Sequence, residues 1–385
     1  MREYFAPWMN TEHTMFASTV ARFFEEECSP FEVEWAENGQ IDPAIWSKAG
    51  QLGLLGAGID EQYGGFGGDY GFDAITMYQQ GYSNSMGWGV ILQTILKHYV
   101  ADCGTESQKL RWLPGLISGD LIPAIAMTEP GTGSDLQSVR TQAVLDGDEY
   151  VIDGSKTFIT NGQQANIIIV VCKTDKNAGS AGISLIAVET EKVFGFKRGR
   201  NLDKIGMKAQ DTSELFFEGV RVPKENLLGG VEGKGFYQLM QQLPWERLAV
   251  GFWALGATDR AIDETLAYVQ GRKAFNQRLM DLQNTRFKLA ECRTKADVTR
   301  AFLDRCMEKI NHRKLSASDA SMAKWWATDV QCSVVDECVQ MHGGYGFMSE
   351  YPIAKMYTDS RAQKIYGGAN EIMKELIARA MDAGK

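Results

Sequence analysis

Apolar positions recur at helical spacing from Thr11 to Asp120. Phe16, Val20, Phe23 and Phe24 fall on one side of a helix, and Glu25, Glu26 and Glu27 on the other. Asp42-Pro43 starts a second helix, with a capping carboxylate before proline at the first helical position. Gly64-Gly65-Phe66-Gly67-Gly68 breaks the run as a turn; helix resumes over Phe72 to Val100 and again over Glu106 to Leu116. At Leu121 the period changes. Thr141 to Val144, a turn at Asp146-Gly147-Asp148 and Glu149 to Asp153 read as a hairpin. Asn166 to Lys173, Gly182 to Glu189, Phe194 to Lys197 and Ser213 to Val222 read as further strands, ended by Pro223. Strands this short and close predict a small antiparallel barrel or sandwich. From Phe236 to Met381 the pattern is helical again, with long amphipathic runs at Arg247 to Gln270, Met280 to His312 and Ser316 to Met341. The order helical, β, helical predicts an α+β chain, mostly α, in three units: 1–120, 121–230 and 231–385.

Composition narrows the chemistry. With 44% hydrophobic and 23% charged residues, the chain reads as globular. Its net charge of −9 argues against nucleic acid and anionic membranes as partners. Seven cysteines without a C-x-x-C pair read as buried reduced thiols, and four scattered histidines offer no metal motif. Met1 to Trp8 lacks a basic segment followed by an apolar run, and the longest apolar runs are too short to cross a bilayer. The expected address is a bacterial cytoplasm, or the mitochondrial matrix if the source is eukaryotic.

Two glycine-rich stretches fail as nucleotide loops. Gly65-x-Gly67 has Tyr70 where a third glycine is required, and no strand precedes it. Gly229 to Gly235 lacks the first glycine and the final Ser or Thr of a phosphate loop. A third stretch is more informative. Ala126-Met-Thr-Glu-Pro-Gly-Thr-Gly-Ser-Asp135 is a tightly specified loop whose hydroxyls and backbone N–H groups suit a ligand rich in oxygen and nitrogen. Gly154 to Gly162 ends a hairpin and sets Phe158 between hydroxyl residues.

Together these two stretches resemble the flavin-binding signatures of the acyl-CoA dehydrogenase family. The resemblance runs from about Thr11 to the C-terminus. It is nearest the long-chain type, whose patterns stand here as Lys208 to Thr212 and Tyr366 to Ile372. It implies a C-terminal four-helix bundle and a bound FAD touched by Met127, Thr128, Gly133, Ser134, Phe158 and Thr160. Ala369 and Glu371 belong to the same cofactor set. Arg272-Lys-Ala-Phe275 resembles a further signature, with Asn276 in place of a glycine, and Gln340 to Phe347 resembles another. In the family both reach the FAD of a neighbouring subunit, so Arg272, Phe275, Gln340, Gly343 and Gly344 imply a dimer, paired into a homotetramer. Arg272 supplies a forked donor suited to phosphate.

The resemblance also implies the reaction: α,β-dehydrogenation of a medium- or long-chain, or branched, acyl-CoA to the trans-2-enoyl product, with hydride passing to flavin N5. Electrons then go to electron-transferring flavoprotein. The α-proton requires a carboxylate in a dry pocket. One family position for it is Gly367 here, which has no acid–base group but can give its N–H to the thioester oxygen. The other is Glu246, in the Glu246-Arg247 pair. Ser134, Arg247, Tyr366 and Gly367 are the expected substrate contacts. The pocket floor corresponds to Ser83 to Val100, which carries Trp88, Gln93, Lys97 and His98. Two rival readings stay open: an oxidase that uses oxygen, and a flavoprotein that binds acyl-CoA without turnover.

Overall fold

The computed structural model describes residues 6–382; Met1–Phe5, which open the stretch read for a signal segment, lie outside them. The N-terminal part is built of α1 (Thr11–Phe23), α2 (Glu32–Asn38), α3 (Ala44–Gln51), α4 (Tyr70–Ser83), α5 (Ile91–Cys103) and α6 (Glu106–Ser118). Side chains fix where these helices start. Asn10 and His13 form a capping box for α1, and Thr105 and Gln108 another for α6. Asp42 Oδ1 accepts from the Ala44 amide at 2.9 Å just ahead of α3. The single helix expected over Phe72 to Val100 is two helices. Asn84 takes a left-handed conformation (φ 60°) and ends α4, and the chain restarts as α5 seven residues later. Periodicity hid this break because both helices are buried nearly all round.

The middle part is one curled sheet of β1 (Pro123–Ala126), β2 (Gln142–Asp146), β3 (Glu149–Thr160), β4 (Ile167–Lys173), β5 (Ile183–Glu189), β6 (Phe196–Asn201) and β7 (Thr212–Pro223). Its order is β1-β4-β2-β3-β7-β6, with β5 on the free side of β4. Most pairs are antiparallel as expected, but β1 runs parallel to β4, and β2 meets β4 in parallel at Gln142 and Lys173. The sixth strand begins two residues later and runs four residues farther than Phe194 to Lys197. β3 is bulged between Lys156 and Ile159, which turns Phe158 (φ 59°) out of the ladder.

The C-terminal part opens with α7 (Gly235–Gly271), then a short hairpin of β8 (Lys273–Ala274) and β9 (Gln277–Arg278). It continues with α8 (Gln283–Asn311), α9 (Ala317–His342), α10 (Pro352–Ser360) and α11 (Asn370–Asp382). α7 lies between α4 and α9 and is the axis of the molecule. Its buried Asp259 accepts from Tyr78 Oη at 2.8 Å, pairs with Arg293 at 2.7 Å and pairs also with Arg300. That cluster ties α4, α7 and α8 together. The main apolar core continues from the helices onto one face of the sheet through Ile167, Ile169, Val171 and Leu185. Among the described residues no helix is long and apolar enough to cross a membrane, and no His, Cys, Asp and Glu cluster could hold a metal.

Candidate active site

α7 begins at Gly235 and passes through Pro244, so Glu246 sits three turns inside it rather than in its first turn. A helix-dipole role for this carboxylate is thereby excluded. Glu246 is buried, and Tyr99 of α5, also buried, donates to its Oε1 at 2.7 Å. Trp245 fixes the same crossing by donating from its indole N–H to the Thr94 carbonyl at 3.0 Å. Burial pushes the Glu246 carboxyl up to about 7, against the Tyr99 hydrogen bond and the Arg247 charge, which pull it down. Arg247 points the other way. Its Nη1 lies 3.4 Å from Ser321 Oγ of α9, its Nε has no hydrogen-bond partner among the described residues, and burial lowers its own pKa.

One turn along α7 from Glu246, Val250 faces Gly367. Among the described residues, a Cβ built on Gly367 would meet only Val250 Cγ2 within 4 Å, at 3.8 Å, so there is open space here beside the carboxylate-bearing face of α7. The Tyr366 ring lies 6.2 Å from the Trp253 ring, a further turn along the same stripe. Gly367 and Gly368 both have positive φ, 63° and 94°. The structure thus brings Tyr366 and Gly367 to the stretch of α7 that follows Glu246, while the Arg247 side chain turns to α9.

The expected cofactor residues fall in two groups. The first surrounds the loop after β1. Thr128 accepts through its carbonyl from the Thr157 amide at 2.9 Å, joining that loop to β3. Glu129 and Thr132 exchange backbone bonds of 2.9 and 3.0 Å across the tight turn. Gly133 and Ser134 are exposed, Met127, Thr128 and Thr160 half-buried, and Phe158 is 67% exposed. An aromatic ring turned out of its own ladder beside free hydroxyls fits a flat heteroaromatic group with a polar rim. A buried pair holds this loop. Lys156 donates to Glu129 Oε1 at 2.9 Å, to the Met127 carbonyl at 3.0 Å and to the Val171 carbonyl at 2.6 Å.

The second group lies at the far end of α7. Arg272 stands over the Tyr345 ring at 5.7 Å, with Phe275 86% exposed and Gln340, Gly343 and Gly344 exposed around it. Twenty-six residues separate Arg272 from Glu246, about 39 Å along a helix axis. Ala369 and Glu371 lie at the start of α11, Ala369 half-buried and Glu371 exposed.

The residues expected at a pocket floor have other duties. Trp88 packs against Phe23, Phe24 and Trp46, with ring centroids 5.4, 5.8 and 5.4 Å away. Gln93 donates to the Leu116 carbonyl at 2.5 Å. Lys97 donates to Asp73 and to the Leu55 and Ala57 carbonyls, while His98 meets the other oxygen of Asp73 at 2.9 Å. Tyr99, one residue on, is the one that reaches Glu246. Sequence reasoning missed it because a tyrosine in an apolar helical run carries no local mark.

Tyr99→Phe removes a bond that favours the ionised carboxylate. The acid limb of the reaction's pH profile is expected to move up by about one unit. A kcat/KM profile superimposable on the parent's would show that the bond does not act on a carboxylate the reaction uses.

Family models described as the N-terminal, middle and C-terminal domains of acyl-CoA dehydrogenase match residues 10–120, 124–220 and 233–382. A mouse protein named long-chain specific acyl-CoA dehydrogenase, mitochondrial, is 50% identical over 373 residues, covering 96% of this chain and 86% of its own length. The crystal structure of an acyl-CoA dehydrogenase from Geobacillus kaustophilus superposes with a TM-score of 0.95 at 44% identity, covering 98% of this chain and 100% of that one. A glutaryl-CoA dehydrogenase from Mycobacterium smegmatis, solved in complex with FADH2, gives 0.90 at 26% identity, covering 98% and 96%.

Proposed function

The chain belongs to the acyl-CoA dehydrogenase family of oxidoreductases, and from that premise we propose that it dehydrogenates a fatty acyl-CoA with Glu246 as the base. The observation that carries this reading is the buried Glu246 carboxyl, held by Tyr99 and raised to about 7, beside the open space at Gly367. A base poised there abstracts a weakly acidic α-proton near neutral pH. Gly367 gives its amide N–H to the thioester oxygen as enolate charge develops. Arg247 keeps the charge on Glu246 through proximity, and Tyr366 with Trp253 walls the substrate from water.

The residues fit FAD. Met127, Thr128, Gly133, Ser134, Phe158 and Thr160 would hold its ring end, with Ala369 and Glu371 beside them and Ser134 turned also to substrate. When bound, FAD accepts the β-hydrogen as hydride. Arg272, Phe275, Gln340, Gly343 and Gly344 would hold the diphosphate and adenosine of the FAD in a second subunit. The length of α7 supports this, because a dinucleotide with its ring near Glu246 does not stretch to Arg272 of the same chain. The working form in this reading is a homotetramer that acts on medium- or long-chain or branched acyl-CoA. It passes electrons to electron-transferring flavoprotein, in a bacterial cytoplasm or a mitochondrial matrix, and its units divide at 120/121 and 230/231.

Anaerobic mixing with acyl-CoA thioesters of increasing length tests the activity. Flavin bleaching is expected with medium to long chains, and no bleaching by any acyl-CoA sinks the reading. Arg272→Ala tests the sharing of cofactor. The variant is expected to fold yet to leave gel filtration with its FAD largely lost. A monomer retaining full FAD overturns the shared site.

A further inference from the structure

The amide that the proposed reaction needs sits in a turn with little rigidity of its own. Gly367 and Gly368 are adjacent, both have positive φ, and no described residue accepts a hydrogen bond from the Gly367 amide. On the upstream side the turn is tied by the Tyr366 amide, which donates to the Ala362 carbonyl at 3.2 Å. On the downstream side the tie is a side chain from another helix. Lys324 of α9, wholly buried, donates to the Gly368 carbonyl at 2.7 Å and to Asn370 Oδ1 at 2.9 Å. Asn370 in turn donates to Thr328 Oγ1 at 3.0 Å and to Asp329 Oδ1 at 3.1 Å.

Ser321, Lys324 and Thr328 form one face of α9 and meet, in order, Arg247, the glycine turn and the start of α11. Lys324 forms no ion pair among the described residues. Burial lowers its pKa to about 7, aided by the Arg247 charge from α7 and opposed by Asp329, Glu371 and Cys332, which favour its protonation. A buried lysine without an ion-pair partner is a costly way to tie down a loop that an uncharged side chain could hold. Its use is intelligible where a flexible Gly-Gly turn must be held still, since donors aimed at developing charge work only when they are already in place.

We propose that Lys324 is a positioning residue for the reaction, fixing the Gly367–Gly368 turn so that the Gly367 N–H meets the thioester oxygen opposite Glu246. The inference rests on the dehydrogenase reading above and deepens it. The test uses the FAD-loaded enzyme, a saturated acyl-CoA for flavin reduction, and as unreactive analogue a trans-2-enoyl-CoA labelled with 13C at its carbonyl. The α,β-double bond leaves neither an sp3 α-proton to abstract nor a hydride to transfer, so the bound carbonyl can be read by infrared difference spectroscopy without turnover.

In the parent the carbonyl stretch is expected to shift to lower frequency on binding. Lys324→Met should lose most of that shift and reduce flavin about 10²-fold more slowly, with binding of the analogue changed less than about threefold. Lys324→Gln, which keeps a shorter neutral donor, should fall between the two. Glu246→Gln should keep the shift and lose the rate, so a failed base assignment is distinguishable from a failed Lys324 assignment. Either Lys324 variant with FAD bound and an unaltered carbonyl shift overturns the proposal. So does the absence of any shift in the parent. Failure of both variants to fold also overturns it, because a tie confined to one turn leaves the apolar cores intact.

Discussion

Glu246→Gln is expected to keep FAD and bind acyl-CoA, yet reduce its flavin about 10²–10⁴-fold more slowly than the parent. Glutamine preserves the shape of the side chain and can still meet Tyr99, so what is lost is the proton acceptor. The pH dependence has a definite sign. Burial raises the carboxyl to about 7, and the ionised form is the active one in the proposed reaction, so the parent's kcat/KM is expected to rise with pH through about 7. The glutamine variant should show no such limb. Gly367→Glu added to Glu246→Gln should recover part of the rate, because only Val250 Cγ2 stands within reach of a Cβ at that position. Recovery is partial, since a non-glycine residue at φ 63° carries about 1 kcal/mol or more of strain. Anaerobic stopped-flow reduction decides the matter. Parent-like rates in Glu246→Gln would place the base elsewhere.

Glu129→Ala should destabilise the protein by about 3–5 kcal/mol and release FAD, although it touches no substrate. Removing the carboxylate leaves Lys156 buried without a counter-charge, the situation in which a broken buried pair costs most. It also strips acceptors from the Arg140 amide at 2.7 Å and from the Thr141 amide and hydroxyl at 2.9 and 2.7 Å. The loop that carries Met127, Thr128 and Ser134 then loses its tether to the sheet. The double variant Glu129→Ala with Lys156→Met should recover much of the loss, because no uncompensated charge remains. The pair has a pH signature too. Burial alone would raise Glu129, but Lys156 and Thr141 hold it below its usual value. Its contribution is therefore present above the unfolded carboxyl pKa and lost as pH falls through the lower folded one. Urea unfolding followed by circular dichroism measures both effects. A loss under about 1 kcal/mol for Glu129→Ala would show that the pair does not hold the loop.

The sequence pattern was legible where one physical rule acted alone. The change of period at Leu121, the Asp146-Gly147-Asp148 turn and the break at Gly64 to Gly68 all stand in the structure. The continuous helix over Phe72 to Val100 failed because burial on all faces erases the amphipathic signal that would have marked Asn84. The parallel contact of β1 with β4 was invisible because pairing between strands 40 residues apart leaves no local trace. At the site, Glu246 could be named as a candidate base from the resemblance of the Glu246-Arg247 pair to a family position. Tyr99 and Lys324 could not, since each acts on a residue far along the chain: 147 positions separate Tyr99 from Glu246, and 44 separate Lys324 from Gly368. Lys97 and His98 look like pocket chemistry in the sequence, yet they serve Asp73 and the Leu55 and Ala57 carbonyls.

The open space between Gly367 and Val250 also bears on descent. In the reading proposed above, carboxylates at 246 and 367 would serve one carbon, and the two need not be exchanged in a single event. A glutamate gained at 367 while Glu246 is still present would suffer the backbone strain but leave the reaction running. Loss of the older carboxylate could follow later without an inactive ancestor between. The reverse order passes through a chain with neither base. In that reading the gap beside Val250 lets one chain carry both carboxylates at once, and so pass from one arrangement to the other without losing its base.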